Sequence, residues 1–229
     1  MITILKAEDR GTSKTDWLES RHSFSFGDFF DPERMSFRAL RVLNDDRVAP
    51  GRGFPMHGHR EMEIVSYVVR GQMEHKDSLG NGSVIKRGDV QRMSAGTGIQ
   101  HGESNPGAEP LHLIQVWLIP NEKGLEPSYE QAEIDMAAMQ SGWVALAGPE
   151  GSYVKVHADA VMAATVLRTG ETRTLEFSPG RAGYLFVARG AVRFHGNELK
   201  NGDAAAIEDE PSLSFDGLQD SEVLAFDLG

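Results

Sequence analysis

Short apolar runs rich in β-branched residues recur along the chain, and glycines, prolines and asparagines separate them. The clearest runs are residues 39–43, 64–69, 111–119 and 183–188. Runs of this length between turn signals are typical of β-strands. Tight hairpins are predicted at Asn81-Gly82 and at Gly196-Asn197, because such pairs tolerate the positive φ angles of two-residue turns. The pattern therefore predicts an all-β protein.

One segment, residues 128–138, favours a helix. Ser128 is a suitable N-cap, and Gln131 three residues later completes a capping-box pattern. The segment is short, so an irregular linker fits nearly as well. We therefore expect either a short helix or a linker at this position.

A faint internal repeat relates the two halves of the chain. In each copy a strand ends at an Arg-Gly pair, and a hairpin then leads to a Gly-Asp pair; the glycines are Gly71 and Gly88, then Gly190 and Gly202. Two copies of one β-barrel module would explain the repeat, although both dipeptides are also common in turns. We place the boundary between about residues 122 and 152 and expect domains at 1–130 and 131–229.

Composition limits the classes of function. The 229 residues suffice for one large or two small β domains. The formal net charge of −11 argues against nucleic acid or an anionic membrane as a direct partner. The absence of cysteine excludes disulfides and thiolate metal sites. The first residues show no secretion signal, and no apolar run approaches the ~18 residues of a membrane span, so we expect a cytoplasmic protein.

Two pairs of polar side chains carry candidate chemistry. His57 and His59 lie two residues apart, and so do His101 and Glu103. Residues i and i+2 of a strand project to the same face, and imidazoles with a carboxylate form a suitable ligand set for a divalent transition metal. Two imidazoles on one strand face are costly to bury unpaired, and a bound metal removes that cost. The sequence therefore predicts a metal site.

The roles of several other residues stay open on spacing alone. Glu63 shares strand parity with His57 and His59, so parity cannot decide whether Glu63 or Glu103 is the carboxylate ligand. Five histidines are interpreted as structural and satisfied by backbone carbonyls: His22, His75, His112, His157 and His195. Four apolar residues could line a pocket, although ordinary barrel core is the more frequent role for each: Phe24, Phe26, Phe54 and Met93.

The two pairs lie within longer motifs. Residues 51–71 resemble the first cupin motif, which is Gly, five residues, His-X-His, three residues and Glu, although seven rather than the usual six residues precede Gly71. Residues 88–105 resemble the second motif through Gly98, His101 and Asn105, but Ser94-Ala95-Gly96 replaces the usual Pro-X-Gly. Together with residues 21–26, 41–46 and 94–99, these motifs make the chain similar to bicupins of the pirin family.

This resemblance implies two tandem cupin barrels, of which the C-terminal one is degenerate and holds no metal. It implies a divalent transition metal held by His57, His59, His101 and Glu103, with Glu63 outside the ligand set. Fe(II) is the expected metal, and Zn, Mn, Ni, Co or Cu are alternatives. Three neutral imidazoles and one carboxylate leave such a metal with a net positive charge, which suits dioxygen and an anionic flavonolate.

The resemblance also implies an activity. A protein similar to quercetin 2,3-dioxygenases would open a flavonol-like ring with dioxygen, and Glu103 could take the hydroxyl proton of the substrate. The alternative is a pirin-like metal-binding protein that regulates or interacts with a protein partner and catalyses nothing. One fold supports many functions, so the substrate expectation rests on resemblance. The sequence leaves the oligomeric state open.

Overall fold

The computed structural model describes residues 1–229 and is built almost entirely of strands. The first half contains β1 (Ile2–Leu5), β2 (Gly11–Lys14), β3 (Leu18–His22), β4 (Leu40–Val48), β5 (Gly53–His59), β6 (Glu63–Arg70), β7 (Gln72–Asp77), β8 (Gly82–Lys86), β9 (Asp89–Ser94), β10 (Ile99–Ser104) and β11 (Leu111–Leu118). The second half contains β12 (Ser128–Glu133), β13 (Val144–Gly148), β14 (Val154–Lys155), β15 (Ala160–Leu167), β16 (Thr172–Glu176), β17 (Ala182–Arg189), β18 (Ala191–Phe194), β19 (Asn197–Lys200), β20 (Ala204–Ile207), β21 (Ser212–Gly217) and β22 (Ser221–Leu228). A 3₁₀ turn covers Ala7–Asp9, and the α-helix α1 covers Met136–Ser141. None of the helices combines the length and the apolar character that crossing a membrane requires.

Each half forms a barrel of one seven-stranded and one four-stranded sheet. The N-terminal barrel has the strand orders β12-β9-β6-β11-β4-β3-β2 and β5-β10-β7-β8. The C-terminal barrel has the orders β1-β20-β17-β22-β15-β13-β14 and β16-β21-β18-β19. Apolar side chains of both sheets fill the interior, as where Val68 of the larger sheet packs with Met73 and Ile85 of the smaller one. The prediction of an all-β bicupin is confirmed.

The internal repeat corresponds to equivalent strands, because β6 to β9 occupy the same places in their barrel as β17 to β20. Gly71 and Gly190 adopt φ angles of +82° and +86°, a left-handed conformation that glycine reaches without strain. Asp89 and Asp203 each accept a hydrogen bond from the backbone N–H three residues earlier, at 3.0 and 2.9 Å. The same turn chemistry therefore closes both hairpins.

The two barrels exchange strands. β1 pairs with β20 of the C-terminal barrel, and β12 pairs with β9 of the N-terminal barrel. The predicted boundary after residue 130 falls inside β12, which belongs to the N-terminal sheet. The division into 1–130 and 131–229 as folding units stays a prediction.

The helix prediction for residues 128–138 is wrong over most of that segment. Residues 128–133 form β12, because hydrogen bonds to the free edge of β9 outweigh a weak local helix preference. The helix begins later, and Asp135 rather than Ser128 caps it by accepting from the N–H groups of Ala137 and Ala138. The first predicted hairpin is not a two-residue turn at Asn81-Gly82, because Lys76 pairs with Gly82 and residues 77–81 form the loop, with Gly80 at positive φ. The second turns at His195-Gly196, one residue earlier than expected, and both residues have positive φ.

A buried polar cluster joins the barrels. The Tyr67 hydroxyl of β6 donates to Glu222 Oε1 of β22 at 2.6 Å, and Arg87 Nη2 lies 2.7 Å from Glu222 Oε2. Around it, apolar side chains of both halves form one continuous core of 28 buried residues. The C-terminal barrel thereby supports β6, whose Ser66 contacts the candidate site described next.

Candidate metal centre

Three adjacent strands of the smaller N-terminal sheet carry the candidate ligands. β10 lies between β5 and β7 and pairs His101 with His57 on one side and Glu103 with His75 on the other. Paired residues on adjacent strands point to the same face of a sheet. The imidazoles and the carboxylate therefore project together into the N-terminal barrel.

The three predicted histidines converge. Their ring centroids are 4.7 Å apart for His57 and His59, 4.5 Å for His57 and His101, and 4.8 Å for His59 and His101. One nitrogen from each ring lies within 4.8 Å of the other two. A metal about 2.1 Å from each nitrogen would bring them to about 3 Å from one another, so the three rings are near the arrangement that a shared metal requires.

The donor set fits a divalent metal ion. Both ring nitrogens of His101 are buried and have no hydrogen-bond partner, which is costly unless another group engages them. His57 Nδ1 lies 2.8 Å from the Pro55 carbonyl, so Nδ1 carries the proton and Nε2 is free to ligate. These imidazoles therefore have the free nitrogens that a divalent metal requires.

Burial sets the charge state of the imidazoles. Burial, with the charge of His57 added, lowers the pKa of His101 to about 3 and that of His59 to about 4. Both rings are thus neutral at pH 7, which is the form that binds metal.

Glu103 is buried beside the histidines. Gln115 Nε2 donates to its Oε2 at 2.8 Å, Ser66 donates to its Oε1 at 3.4 Å, and His101 Nδ1 lies 3.8 Å from Oε1. Burial, followed by repulsion from the Asp46 carboxyl, raises the pKa of Glu103 to about 7. In the metal-free site this carboxyl can both hold and release a proton near neutral pH.

Glu63 is buried but points elsewhere. Its Oε2 accepts from the Ser94 hydroxyl at 2.8 Å and from the backbone N–H of His157 at 3.3 Å. It belongs to neither cluster of side chains whose ligand atoms converge, which are His57-His59-His101 and His75-His101-Glu103. Glu63 therefore contacts the C-terminal half, whereas Glu103 adjoins the histidines.

Sequence reasoning missed His75. Its Nε2 lies 3.0 Å from Asp77 Oδ2, its ring stacks on Tyr129 at 4.7 Å, and one of its nitrogens lies within 4.8 Å of the ligand atoms of His101 and Glu103. The carboxylate of Asp77, two residues after His75, was the sequence signal that could have indicated a role for His75 beside the metal centre. Backbone carbonyls were the wrong expected partners for three histidines, because side chains engage them instead: His22, His75 and His112.

A pocket of about 300 Å³ opens beside the centre. It is lined by Ser13, Leu18, Ser20, His22, Phe26, Asn44, Asp46, Phe54, Pro55, His57, His59, Glu103, Gln115 and Trp117. Phe26 and Phe54 line it as suggested, whereas Phe24 and Met93 belong to the apolar core. The polar residues of β4 and β11 in this wall were not foreseen, because only strand pairing brings them to the pocket.

Two family models match the chain, one in each half, in agreement with the two barrels of the fold. The family model for pirin matches residues 5–118, and the model for the quercetinase C-terminal cupin domain matches residues 130–228. A quercetin 2,3-dioxygenase of Escherichia coli K12 is 42% identical over 231 residues, which cover 100% of this chain and 99% of the relative. A putative quercetin 2,3-dioxygenase of Pseudomonas aeruginosa is 41% identical, with 95% of each protein covered.

Solved structures are similar along the whole chain. The bacterial pirin YhhW from Escherichia coli, crystallised in complex with nickel(II), matches at 42% identity with a TM-score of 0.93 and covers 100% of this chain and 99% of its own. A quercetin 2,3-dioxygenase from Acinetobacter baumannii, 24% identical, shares the fold with a TM-score of 0.76 over 95% of this chain and 83% of its own. Since full-length relatives reach 42% identity and the pirin model matches the barrel that contains the centre, the chain belongs to the pirin family.

Proposed function

We propose that the protein is a metal-dependent dioxygenase that opens a flavonol-like ring with dioxygen. The observation that carries this proposal is the convergence of three imidazoles, His57, His59 and His101, at a pocket of about 300 Å³, with the buried Glu103 carboxylate beside His101. The activity named for the full-length relatives supports it.

The proposed ligands are His57, His59, His101 and Glu103, and the proposed native metal is Fe(II). Glu103 is favoured over Glu63 because Glu103 lies beside His101, whereas hydrogen bonds hold Glu63 toward the other barrel. An imidazole and carboxylate donor set also accepts other divalent metals, and nickel(II) is bound in the related bacterial pirin.

The chemistry divides between metal and protein. A bound divalent metal would supply Lewis acidity and open coordination positions for oxygen ligands. Glu103, held beside the histidines, accepts the hydroxyl proton of the substrate. Gln115 holds this carboxylate through Nε2, and the Trp117 indole N–H in turn donates to Gln115 Oε1 at 3.3 Å. The base is thereby fixed against β11.

Aromatic side chains shape the space above the centre. Phe26 and Trp117 meet edge to face at 5.4 Å, and Trp117 also packs against His59 at 4.8 Å. Such walls suit a flat aromatic ring and exclude water from the reacting atoms. The pocket therefore favours a phenolic ring over an aliphatic substrate.

The test pairs elemental analysis of protein purified without added metal with oxygen uptake on quercetin. Bound metal together with quercetin-dependent oxygen uptake supports the dioxygenase. Bound metal without uptake on a range of flavonols would favour a regulatory or interaction protein instead. Protein that binds no divalent metal tightly would refute both functions.

Metal removal is expected to lower stability in a pH-dependent way. Metal binds the folded state preferentially and adds about 4 kcal/mol when free metal exceeds Kd about 1,000-fold, or roughly 10 °C in Tm for a chain of this length. The folded-state pKa values of His59 and His101 lie below the ordinary value of 6.5, so the unfolded chain binds more protons between pH 6.5 and about 3. The contribution of these two histidines to the free energy of unfolding is therefore fully present above pH 6.5, and it is lost as pH falls from 6.5 to about 3.

Tm measured against pH with and without a strong chelator checks this expectation. The chelator should lower Tm clearly at pH 7, and its effect should shrink as pH falls through about 4 toward 3, the folded-state pKa values at which protons displace the metal from His59 and His101. An unchanged Tm at pH 7 after verified metal removal would show that the metal does not stabilise the fold.

Asp46→Asn is expected to stabilise the metal-free protein at high pH. Burial, opposed in part by the Ser20 hydroxyl, raises the pKa of Asp46 to about 7, well above the ordinary 3.8. The folded state therefore binds more protons than the unfolded chain between about pH 4 and 7, and stability falls as pH rises through this window. Asparagine removes the buried charge, so the variant should gain on the order of 2 kcal/mol at pH 8 and little at pH 4.

Asp45→Asn is the matched contrast in thermal melts over the same pH range. Burial opposes ionisation of Asp45, but the hydrogen bond from His112 at 2.6 Å and nearby positive charges lower its pKa overall. Neutralising this residue should therefore destabilise the protein at pH 8. Equal signs for the two variants would contradict the assignment of their charge states.

A further inference from the structure

The wall of the pocket formed by β3 and β4 is polar. Ser20 and His22 of β3 pair with Asp46 and Asn44 of β4, and all four side chains line the pocket. Each of these residues is at most 4% exposed. Burying a polar group without a hydrogen-bond partner costs free energy of folding. Donors and acceptors of this wall that have no partner in the protein therefore point to a ligand.

Internal hydrogen bonds use only part of that capacity. His22 Nδ1 donates to Asn44 Oδ1 at 2.8 Å, and the Ser13 hydroxyl donates to His22 Nε2 at 2.9 Å. This arrangement fixes the Asn44 amide with its oxygen toward His22 and leaves its NH₂ group without a protein acceptor. The Ser20 hydroxyl donates to Asp46 Oδ1, and Oδ2 accepts no hydrogen bond from the protein.

One free donor and one free acceptor therefore stand side by side. Asn44 and Asp46 are residues i and i+2 of β4, so their side chains lie about 7 Å apart at the backbone and share a face. Two vicinal ring hydroxyls match this pair, because one can donate to Asp46 Oδ2 while the oxygen of the other accepts from the Asn44 NH₂ group. The neighbouring Phe26 ring, 5.2 Å from His22, provides an aromatic contact for the same ring.

We propose that Asn44 and Asp46 form a specificity-determining subsite for an ortho-dihydroxylated aromatic ring, which lies at the β3–β4 wall while the reacting ring meets His57, His59 and Glu103. This subsite rests on the proposed function, since it assigns the second polar end of a flavonol-like substrate. It predicts that the hydroxyl pattern of the ring remote from the metal, and not only the metal-binding group, controls affinity.

The test measures binding to full-length protein loaded with Zn(II), which has no redox chemistry and therefore separates binding from turnover. The probes are quercetin and galangin, flavonols that differ only in the vicinal hydroxyls of the remote ring. At pH 8, where Asp46 is ionised, wild-type protein should bind quercetin about tenfold more tightly, as expected for hydrogen bonds that include a charged acceptor. Asp46→Asn should lose most of this preference and keep its affinity for galangin.

Two further variants sharpen the comparison. Asn44→Ala removes the donor and should also reduce the preference. Asp45→Asn is the matched control, because Asp45 is the next residue in β4, is equally buried and does not line the pocket. It should keep the preference for quercetin. Each variant is compared between two ligands, so a change in stability affects both measurements alike.

The outcomes distinguish the subsite from the proposed function. Equal affinities of wild-type protein for the two flavonols, no binding of either, or a preference that survives in Asp46→Asn would each overturn the subsite. Oxygen uptake is measured separately with a redox-active metal. A quercetin preference that depends on Asp46, without oxygen uptake, would refute the dioxygenase while the subsite stands.

Discussion

Replacing His101 with alanine is expected to abolish tight metal binding. The substitution removes one of four proposed ligands, and His101 is the histidine common to both clusters of converging side chains. Loss of an outer-shell partner typically costs 10–100-fold in metal affinity, so loss of a ligand should cost more than about 100-fold. Metal content by elemental analysis and Kd by chelator competition measure the effect, and flavonol-dependent oxygen uptake should vanish with the metal.

Two further variants make this result interpretable. His195→Asn alters a histidine in the β18–β19 turn, where φ is +45° and asparagine is well tolerated, and it should leave metal affinity unchanged. His57→Ala removes a ligand that is only partly buried, so it tests the site even if the fully buried His101 cannot be truncated without loss of folding. Tight metal binding by a folded His101→Ala protein would contradict the proposed ligand set.

The part of the site predicted from sequence is the part encoded locally. His57 and His59, and likewise His101 and Glu103, are placed on one face by the two-residue period of a strand, and this period holds whatever the strand pairs with. The strands themselves could also be predicted from the sequence, since short apolar runs and glycine turns are local signals. The all-β bicupin expectation followed from these signals together with the motif resemblance.

The rest of the site depends on register between distant strands. His75 reaches the centre only because β7 pairs with β10, and Asp46 reaches the pocket through the wall that β4 forms with β3. No local spacing specifies these pairings. The same reason explains β12, whose residues carry a helix-like capping pattern but pair with the edge of β9.

Glu63 shows why strand parity misleads across a turn. Parity with His57 and His59 holds only while the strand continues, but β5 ends at His59 and β6 begins at Glu63. Between them Glu61 adopts a φ of +52°, which breaks the extended conformation and resets the alternation of faces. Glu63 consequently faces Ser94 and the second barrel rather than the histidines.

This difference leads to the sharpest test of the carboxylate assignment, a comparison of Glu103→Gln with Glu63→Gln. Glutamine keeps the size of each buried side chain and removes its charge and its capacity to accept a proton. Glu103→Gln should weaken metal binding and lower kcat by about 10²- to 10⁴-fold, the usual contribution of a general base. Glu63→Gln should retain the metal and the activity, because its hydrogen bonds lie at the interface between the barrels.

The two variants also separate the roles assigned to Glu103. If Glu103 acts as both ligand and base, excess metal should restore occupancy of Glu103→Gln without restoring kcat. If it acts only as a ligand, excess metal should restore both. Metal loss in Glu63→Gln combined with full metal retention in Glu103→Gln would reverse the assignment. Such a reversal would require β6 to turn Glu63 toward the histidines and away from Ser94 and His157. Metal binding would then break the hydrogen bonds that Glu63 makes to those two residues.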